Sequence, residues 1–288
     1  MANKKALVTG GNRGIGRGIV TSLVQDGYDV VFTYHSEQQD AENLTRELDK
    51  KYDSKVLYYA ADFNEKQTPG VLVHRAWQDL GHLDLLVNNA GAFLRTGKLF
   101  CDTPPEEIDQ MLMVNFRGYL MNMWESLRLM MKHGVKGNII NITSHRAIRP
   151  YSGDMVYGGI KAGITRATQS LALEGAPYGI RANCVAPGAI RYRTREEYLR
   201  QGSSEDEIEA REKLSRKIPL GRMGEPWEIG EAVVWLASEK AAYITGESIR
   251  VDGGLCMPGI PERAPSGDYE DLGWCFLQRK KDTDMENW

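Results

Sequence analysis

The sequence predicts an α/β fold: a doubly wound, parallel sheet of seven strands flanked by helices, with an added C-terminal tail. Three observations predict it. Short β-branched runs alternate with longer helical patterns along most of the chain. The first run ends in a glycine-rich turn that opens a helix. The alternation stops after Gly254, where prolines and scattered aromatics replace it. Strands separated by helices imply right-handed crossovers, and hence parallel pairing with helices on both faces.

The elements follow in order. KALVTG (Lys5–Gly10) reads as a buried strand, with a helix from Ile15 to about Asp26. DVVFTY (Asp29–Tyr34) is the second strand, and QQDAENLTRELDKKY is an exposed, charged helix. KVLYYAAD (Lys55–Asp62) is the third strand. A helix near Pro69–Leu80 precedes LDLLVNNAG, a fourth strand ending in a polar turn. A long helical region covers about Pro104–His133. Next come the strand GNIINITS, a helix around Tyr157–Ala176 and the strand IRANCVAPG. Ile190–Lys217 is charged and helical, Glu225–Ala237 is a helix, and ESIRVDGG is the last strand. Residues 1–254 thus form one domain, with 190–217 as a substrate lid segment and 255–288 as a C-terminal extension.

Bulk properties exclude several classes. The chain has 288 residues, 42% hydrophobic and 26% charged, with a net charge of −3. That charge gives no reason to expect nucleic acid or an anionic membrane as partner. No stretch approaches the roughly 18 apolar residues of a membrane span, and no signal peptide precedes the first strand, so a cytoplasmic location is expected. The four cysteines are far apart and read as free thiols. The five histidines form no HxxxH pair, so no metal site is expected.

TGGNRGIG (Thr9–Gly16) has the setting of a phosphate cradle, after a strand and opening a helix. Gly10, Gly14 and Gly16 would allow a tight turn, a close backbone approach and tight helix–strand packing. Asn12, Arg13 and Ile15 complete the candidate cradle, whose helix N-terminus offers N–H groups and positive dipole to a pyrophosphate. A glycine-rich turn without a ligand is the plain alternative. The second strand ends in TYHSE, not in a carboxylate that would hold a ribose 2′-hydroxyl. Tyr34 takes that position, and Arg13 with His35 or Ser36 would attract a 2′-phosphate. The cofactor predicted is therefore NADP(H), with Glu37 close enough to oppose it.

These residues carry a resemblance. TGGNRGIG, Asp62 after the third strand, NNAG (Asn88–Gly91), Asn115 in MVNF, Ser144, Tyr157-x-x-x-Lys161 and PG (Pro187–Gly188) occur in that order. Together they resemble the classical short-chain dehydrogenases/reductases, over about Lys4 to Gly254, and most of all reductases of the 3-oxoacyl-carrier-protein and glucose dehydrogenase type. The resemblance implies a Rossmann fold, a homotetramer and particular contacts. Asp62 would bond the adenine with Phe63 beside it. Asn89, Ala90 and Gly91 would line the cofactor, and Pro187, Gly188 and Ile190 would hold its nicotinamide end. Asn115 would hold a water linking Lys161 to solvent. Where the family often has threonine four residues past PG, Tyr192 stands, with Thr194 two further on.

Tyr157 and Lys161 share a helix face at i and i+4. Ketone reduction needs hydride on carbon and a proton on oxygen. Free tyrosine has a pKa of about 10, and a nearby ammonium would lower it, fitting Tyr157 as general acid in reduction and base in oxidation. Ser144, just past a strand end, would hold the carbonyl oxygen. Gly158 and Gly159 cost about 1 kcal/mol each in a helix interior, and a flat nicotinamide beside them would explain their presence. His145 and Arg146 read as loop residues near the substrate mouth.

Substrate identity is less legible. The implied small-molecule substrate is a ketone or secondary alcohol, with a bulky hydrophobic one such as a hydroxysteroid suited to Trp274, Phe276 and Trp288 of the tail. The alternative is a 3-oxoacyl-[acyl-carrier-protein] reductase. That family docks its carrier on paired arginines; Arg128 matches one, but Leu173 stands at the other. A nucleotide-sensing protein without catalysis is disfavoured by the presence of Asn115, Ser144, Tyr157 and Lys161.

Overall fold

A computed structural model of the chain describes residues 3–92, 100–193, 195–200, 202–205, 208, 209, 215 and 218–257. Seven parallel strands form one sheet in the order β3-β2-β1-β4-β5-β6-β7. They are β1 (Lys4–Val8), β2 (Tyr28–Tyr34), β3 (Val56–Ala60), β4 (Leu85–Asn88), β5 (Asn138–Ile142), β6 (Arg181–Pro187) and β7 (Ser248–Val251). The strand order reverses between β1 and β4. In open α/β sheets the crevice outside the carboxyl ends of such strands is where ligands bind.

Helices cover both faces, so the central strands are buried on both sides and read as near-continuous apolar runs. Those involved are α1 (Gly14–Gln25), α2 (Gln38–Asp49), α3 (Thr68–Leu80), α4 (Pro105–Met111), α5 (Gly118–His133), α6 (Met155–Gly175), α7 (Arg195–Arg200) and α8 (Pro226–Ala237). One core layer joins Ile19, Leu23, Leu44 and Val233 to the sheet, and the other joins Val73, Leu129, Met130 and Ala172. α1 and α8 touch backbone to backbone: a Cβ on Gly18 would lie 2.3 Å from the Pro226 carbonyl. Glu225 and Glu228 form a capping box at the start of α8, which fixes its entry.

The expected helical region about Pro104–His133 is present, with a π-helical turn at Leu112–Arg117 between α4 and α5. Such turns displace one side chain from the regular helical course, and here that turn carries Asn115. The segment Ile190–Lys217 is described only in part; helix α7 covers Arg195–Arg200, and Thr194 lies outside the described residues. So does the extension after Met257.

Beneath the carboxyl ends of the central strands lies a fully buried asparagine network. Asn122 Nδ2 donates to Asn88 Oδ1 (2.8 Å), Asn88 Nδ2 to Asn141 Oδ1 (2.9 Å), and Asn141 Nδ2 to Thr168 Oγ1 (2.9 Å). Hydrogen bonds between these buried side chains tie α5, α6, β4 and β5 into one arrangement.

Candidate active site

The glycine turn is held open by packing. Gly10 has φ 66°, and a Cβ there would meet the Ala90 Cα at 3.0 Å. A Cβ on Gly16 would fall 1.9 Å from the Gly10 oxygen, so no other residue fits without moving the turn. Asn89 ties the turn to the end of β4: its Nδ2 donates to the Thr9 and Gly10 oxygens, both at 2.9 Å. Thr9 Oγ1 accepts from the Asn89 and Ala90 amides (2.9 and 3.0 Å). Asn115 clamps Ala92 from both sides, Oδ1 accepting from Ala92 N and Nδ2 donating to Ala92 O, each at 2.7 Å. No side chain caps the start of α1. A glycine-rich turn leading into a helix N-terminus that no side chain caps fits the pyrophosphate of a nicotinamide dinucleotide.

At the expected adenosine end the basic groups already face carboxylates. Arg13 pairs with Glu37 (Nη1–Oε1 3.1 Å), and Ser36 Oγ donates to the other Glu37 oxygen (2.6 Å). Burial would raise the Glu37 pKa, but the Ser36 hydrogen bond and Arg13 outweigh it and hold the group below its ordinary value. Glu37 thus stands between the side chains read as a 2′-phosphate site. His35 faces Asp62 (3.8 Å), whose carboxyl is lowered first by the Asn64 amide. Three of the expected cofactor residues pack against other parts of the protein. Phe63 is buried against Gly118 in the core. Tyr34 turns onto Tyr58, ring centroids 6.0 Å apart. Ile190 is buried and bridged to Gly224, away from the cleft lining. Asn12 is also buried, and its Nδ2 donates to the Glu37 carbonyl (3.3 Å).

A cleft of about 170 Å³ is lined by eight of the candidates: Ile15, Asn89, Gly91, Ser144, Tyr157, Lys161, Pro187 and Gly188. The Ser144 hydroxyl is hydrogen-bonded to Tyr157, and Ser144 Oγ accepts from the Arg146 amide (3.2 Å). Lys161 is buried; its Nζ donates to Ile142 O (2.9 Å) and to Tyr119 Oη (3.2 Å), 5.7 Å from the Tyr157 ring centroid. Burial pulls the Lys161 pKa down to about 8. Burial pushes Tyr157 up to about 12, with the Ser144 hydrogen bond and Arg146 opposing and Asp154 adding. The expected lowering of Tyr157 is therefore corrected: in this state desolvation prevails, and the lysine ammonium points towards Tyr119.

Tyr119 is a site residue that carried no sequence signal. It is buried behind Lys161 and donates to Ile142 O (3.2 Å), so the ammonium and the phenol share one carbonyl. His145 is corrected too. It is buried, with Nδ1 on Pro187 O at 3.2 Å, and links the loop after β5 to the end of β6. Arg128 is engaged in two hydrogen bonds with the buried Glu125 (3.0 and 2.7 Å), while Leu173 is 78% exposed. A second, open groove of about 440 Å³ at the β3 edge is lined by Lys55–Tyr59, Arg75 and Asp79. Among the described residues no cluster of His, Cys, Asp or Glu could hold a metal, and no helix is long and apolar enough to cross a membrane. Cys101, Cys184 and Cys256 are free.

A family model described as enoyl-(acyl carrier protein) reductase matches residues 10–256, nearly the whole described fold. The chain belongs to the short-chain dehydrogenase/reductase family. Glucose 1-dehydrogenase 2 of Bacillus subtilis is 33% identical over 257 residues, 89% of this chain and 96% of that protein. A short-chain dehydrogenase/reductase structure from Serratia marcescens is 33% identical with a TM-score of 0.78, over 88% of this chain and 98% of that one. A blue fluorescent protein from a metagenomic library, in complex with NADPH, is 33% identical with a TM-score of 0.77, over 88% and 97%. This short-chain dehydrogenase/reductase is an oxidoreductase with a nicotinamide-type site.

Proposed function

We propose that the protein interconverts a ketone and a secondary alcohol with NADP(H), Tyr157 acting as general acid and base. The observation that carries this is the shared cleft in which Ser144, Tyr157 and Lys161 face the glycine turn. The bound nicotinamide would supply or accept the hydride, and the chain's residues do the rest. Ser144 holds the substrate oxygen beside the Tyr157 hydroxyl, which gives it a proton in reduction and takes one in oxidation. Lys161 keeps positive charge 5.7 Å from the ring, where it favours the phenolate as it forms. The glycine turn and the uncapped start of α1 hold the pyrophosphate.

NADP(H) is favoured by Arg13, Ser36 and His35 and by the NADPH complex of the metagenomic relative. Glu37 works against it, so NAD should be accepted more weakly and not rejected. Carrier-protein docking is disfavoured by Leu173 and by the engagement of Arg128 with Glu125. A hydrophobic substrate would need the extension 255–288 as a cover. Its root supports that placement: Arg149 donates to Leu255 O (2.6 Å) and Cys256 Sγ to His145 O (3.5 Å), so the extension starts against the loop that follows Ser144. A cytoplasmic homotetramer completes the proposal.

The test is nicotinamide absorbance with a ketosteroid, an acetoacetyl thioester and glucose in parallel, each with NADP(H) and NAD(H). Turnover of a ketone or alcohol with NADP(H) supports the reading; none with either cofactor overturns it. A chain ending at Met257 with unchanged kinetics on every substrate would eliminate the cover.

A further inference from the structure

Arg146 and Asp154 belong to no site motif, yet they join its two halves. Arg146 lies two residues after Ser144, and Asp154 precedes α6 by one residue, three before Tyr157. Their side chains pair at 3.0 Å (Nη1–Oδ1). The Asp154 side chain is only 4% exposed, and its other oxygen, Oδ2, has no hydrogen-bond partner among the described residues. A half-satisfied buried carboxylate is costly unless a charge faces it. Here that charge is Arg146, whose own amide donates to Ser144 Oγ (3.2 Å). The Asp154 carbonyl accepts from the Gly158 amide (2.8 Å), one residue past Tyr157.

The surrounding residues are shaped to this pair. A Cβ on Gly158 would meet the Arg146 oxygen at 3.0 Å and Asp154 Oδ2 at 3.3 Å. The glycine after Tyr157 therefore leaves room for the Arg146 backbone and the Asp154 carboxylate. Arg146 also lies over the Tyr151 ring (4.9 Å), which His145 meets edge-on at 5.7 Å. The loop from Ser144 to Tyr157 is thereby cross-linked through side chains.

We infer that the Arg146–Asp154 pair is a positioning element for proton transfer: it fixes the separation of Ser144 and Tyr157 and sets the charge facing the Tyr157 hydroxyl. This rests on the acid–base role proposed for Tyr157. The charged and titratable groups around that residue are few. The turn after β5 brings Arg146 beside the Ser144 hydroxyl, α6 brings Asp154 and Lys161, α5 brings Tyr119, and β6 brings Cys184 behind Lys161. The cofactor side of the cleft (Ile15, Asn89, Gly91, Ala92, Pro187, Gly188) has no charge. Arg146 favours the phenolate and Asp154 opposes it, so the two residues pull in opposite directions.

The experiment is the pH dependence of kcat/KM for alcohol oxidation in Arg146→Met, Asp154→Asn, the double variant and Arg146→Lys, with Tm recorded for each. Each single neutral variant should lose about tenfold in kcat through misplacement of the reacting groups. The limb that rises as the base deprotonates should move to higher pH in Arg146→Met and to lower pH in Asp154→Asn. It should return towards the parent in the double variant and stay there in Arg146→Lys. A structural role alone does not move a pH limb in opposite directions. Unmoved limbs, or limbs shifted the same way, would overturn the inference. If Asp154→Asn does not fold, the contrast between Arg146→Met and Arg146→Lys decides. Retained turnover in Tyr157→Phe would instead overturn the acid–base reading, so the two failures are distinguishable.

Discussion

The two walls of the cleft are built by different means. The wall formed by the glycine turn and the end of β4 is backbone held by backbone and amides: Gly16 against the Gly10 oxygen, Asn89 on Thr9 and Gly10, Asn115 on Ala92. The wall formed by the loop after β5 and the start of α6 is side chains and charge: Ser144 with Tyr157, Lys161 on Tyr119, Arg146 with Asp154. The first is a rigid mould in which one methyl group is too many. The second is an electrostatic arrangement in which charge matters most. Substitutions should therefore fail in different ways on the two sides.

The largest expected effect on the mould is Gly16→Ala. Its Cβ cannot avoid the Gly10 oxygen, so dinucleotide affinity should fall at least about 100-fold, with a stability loss of about 1–3 kcal/mol from overpacking. Fluorescence titration with NADPH and a thermal melt measure both. Unchanged affinity would mean the cradle is elsewhere.

The charged wall should show the reverse: lost activity with gained stability. Lys161 is buried, with its pKa lowered from 10.5 to about 8. Below about pH 8 it is protonated in both states and folding bears the whole cost; above 10.5 it is neutral in both and the cost is gone. Lys161→Met should therefore abolish turnover yet raise stability at neutral pH by a figure on the order of 3 kcal/mol. The gain should shrink as pH rises from 8 towards 10.5. Melts across that range check it.

Tyr119→Phe keeps the ring and removes the hydroxyl that accepts from Lys161. A fall of about tenfold in kcat with little change in Tm is expected, since the positioning of one group is lost and no volume. Smallest is Glu37→Gln, which frees Arg13 and Ser36 from a carboxylate. It should improve the KM for NADP(H) several-fold, about 1 kcal/mol for a half-exposed pair, and leave that for NAD(H) nearly unchanged. Equal KM changes for the two cofactors would place the 2′-phosphate elsewhere.

The same contrast explains how much of the molecule was legible in the sequence. The sheet, its strands and the cradle were readable because glycine positions and apolar runs leave local signatures. Asn89 and Asn115 were recognisable as members of motifs, but the backbone clamps they make were not, because those join elements far apart in the chain. The π-turn at Leu112–Arg117 was missed because its apolar periodicity passes for a continuous helix. Phe63 and Ile190 were assigned to the cofactor by position, and the burial of their side chains in the core had no local signature. Tyr119 and the Arg146–Asp154 pair had no signature at all, since each depends on a contact between side chains. The direction of the Tyr157 shift failed for the same reason: spacing gives the nearness of Lys161 but not the burial that outweighs it.

The most direct test of the account compares Tyr157→Phe with the parent under saturating NADPH and the best ketone of the substrate panel. The account predicts NADPH affinity within about twofold of the parent and turnover reduced by roughly 100- to 10,000-fold, the span general acid–base catalysis supplies. Turnover near the parent value with intact binding would contradict it and move the proton-handling role to another residue of the cleft.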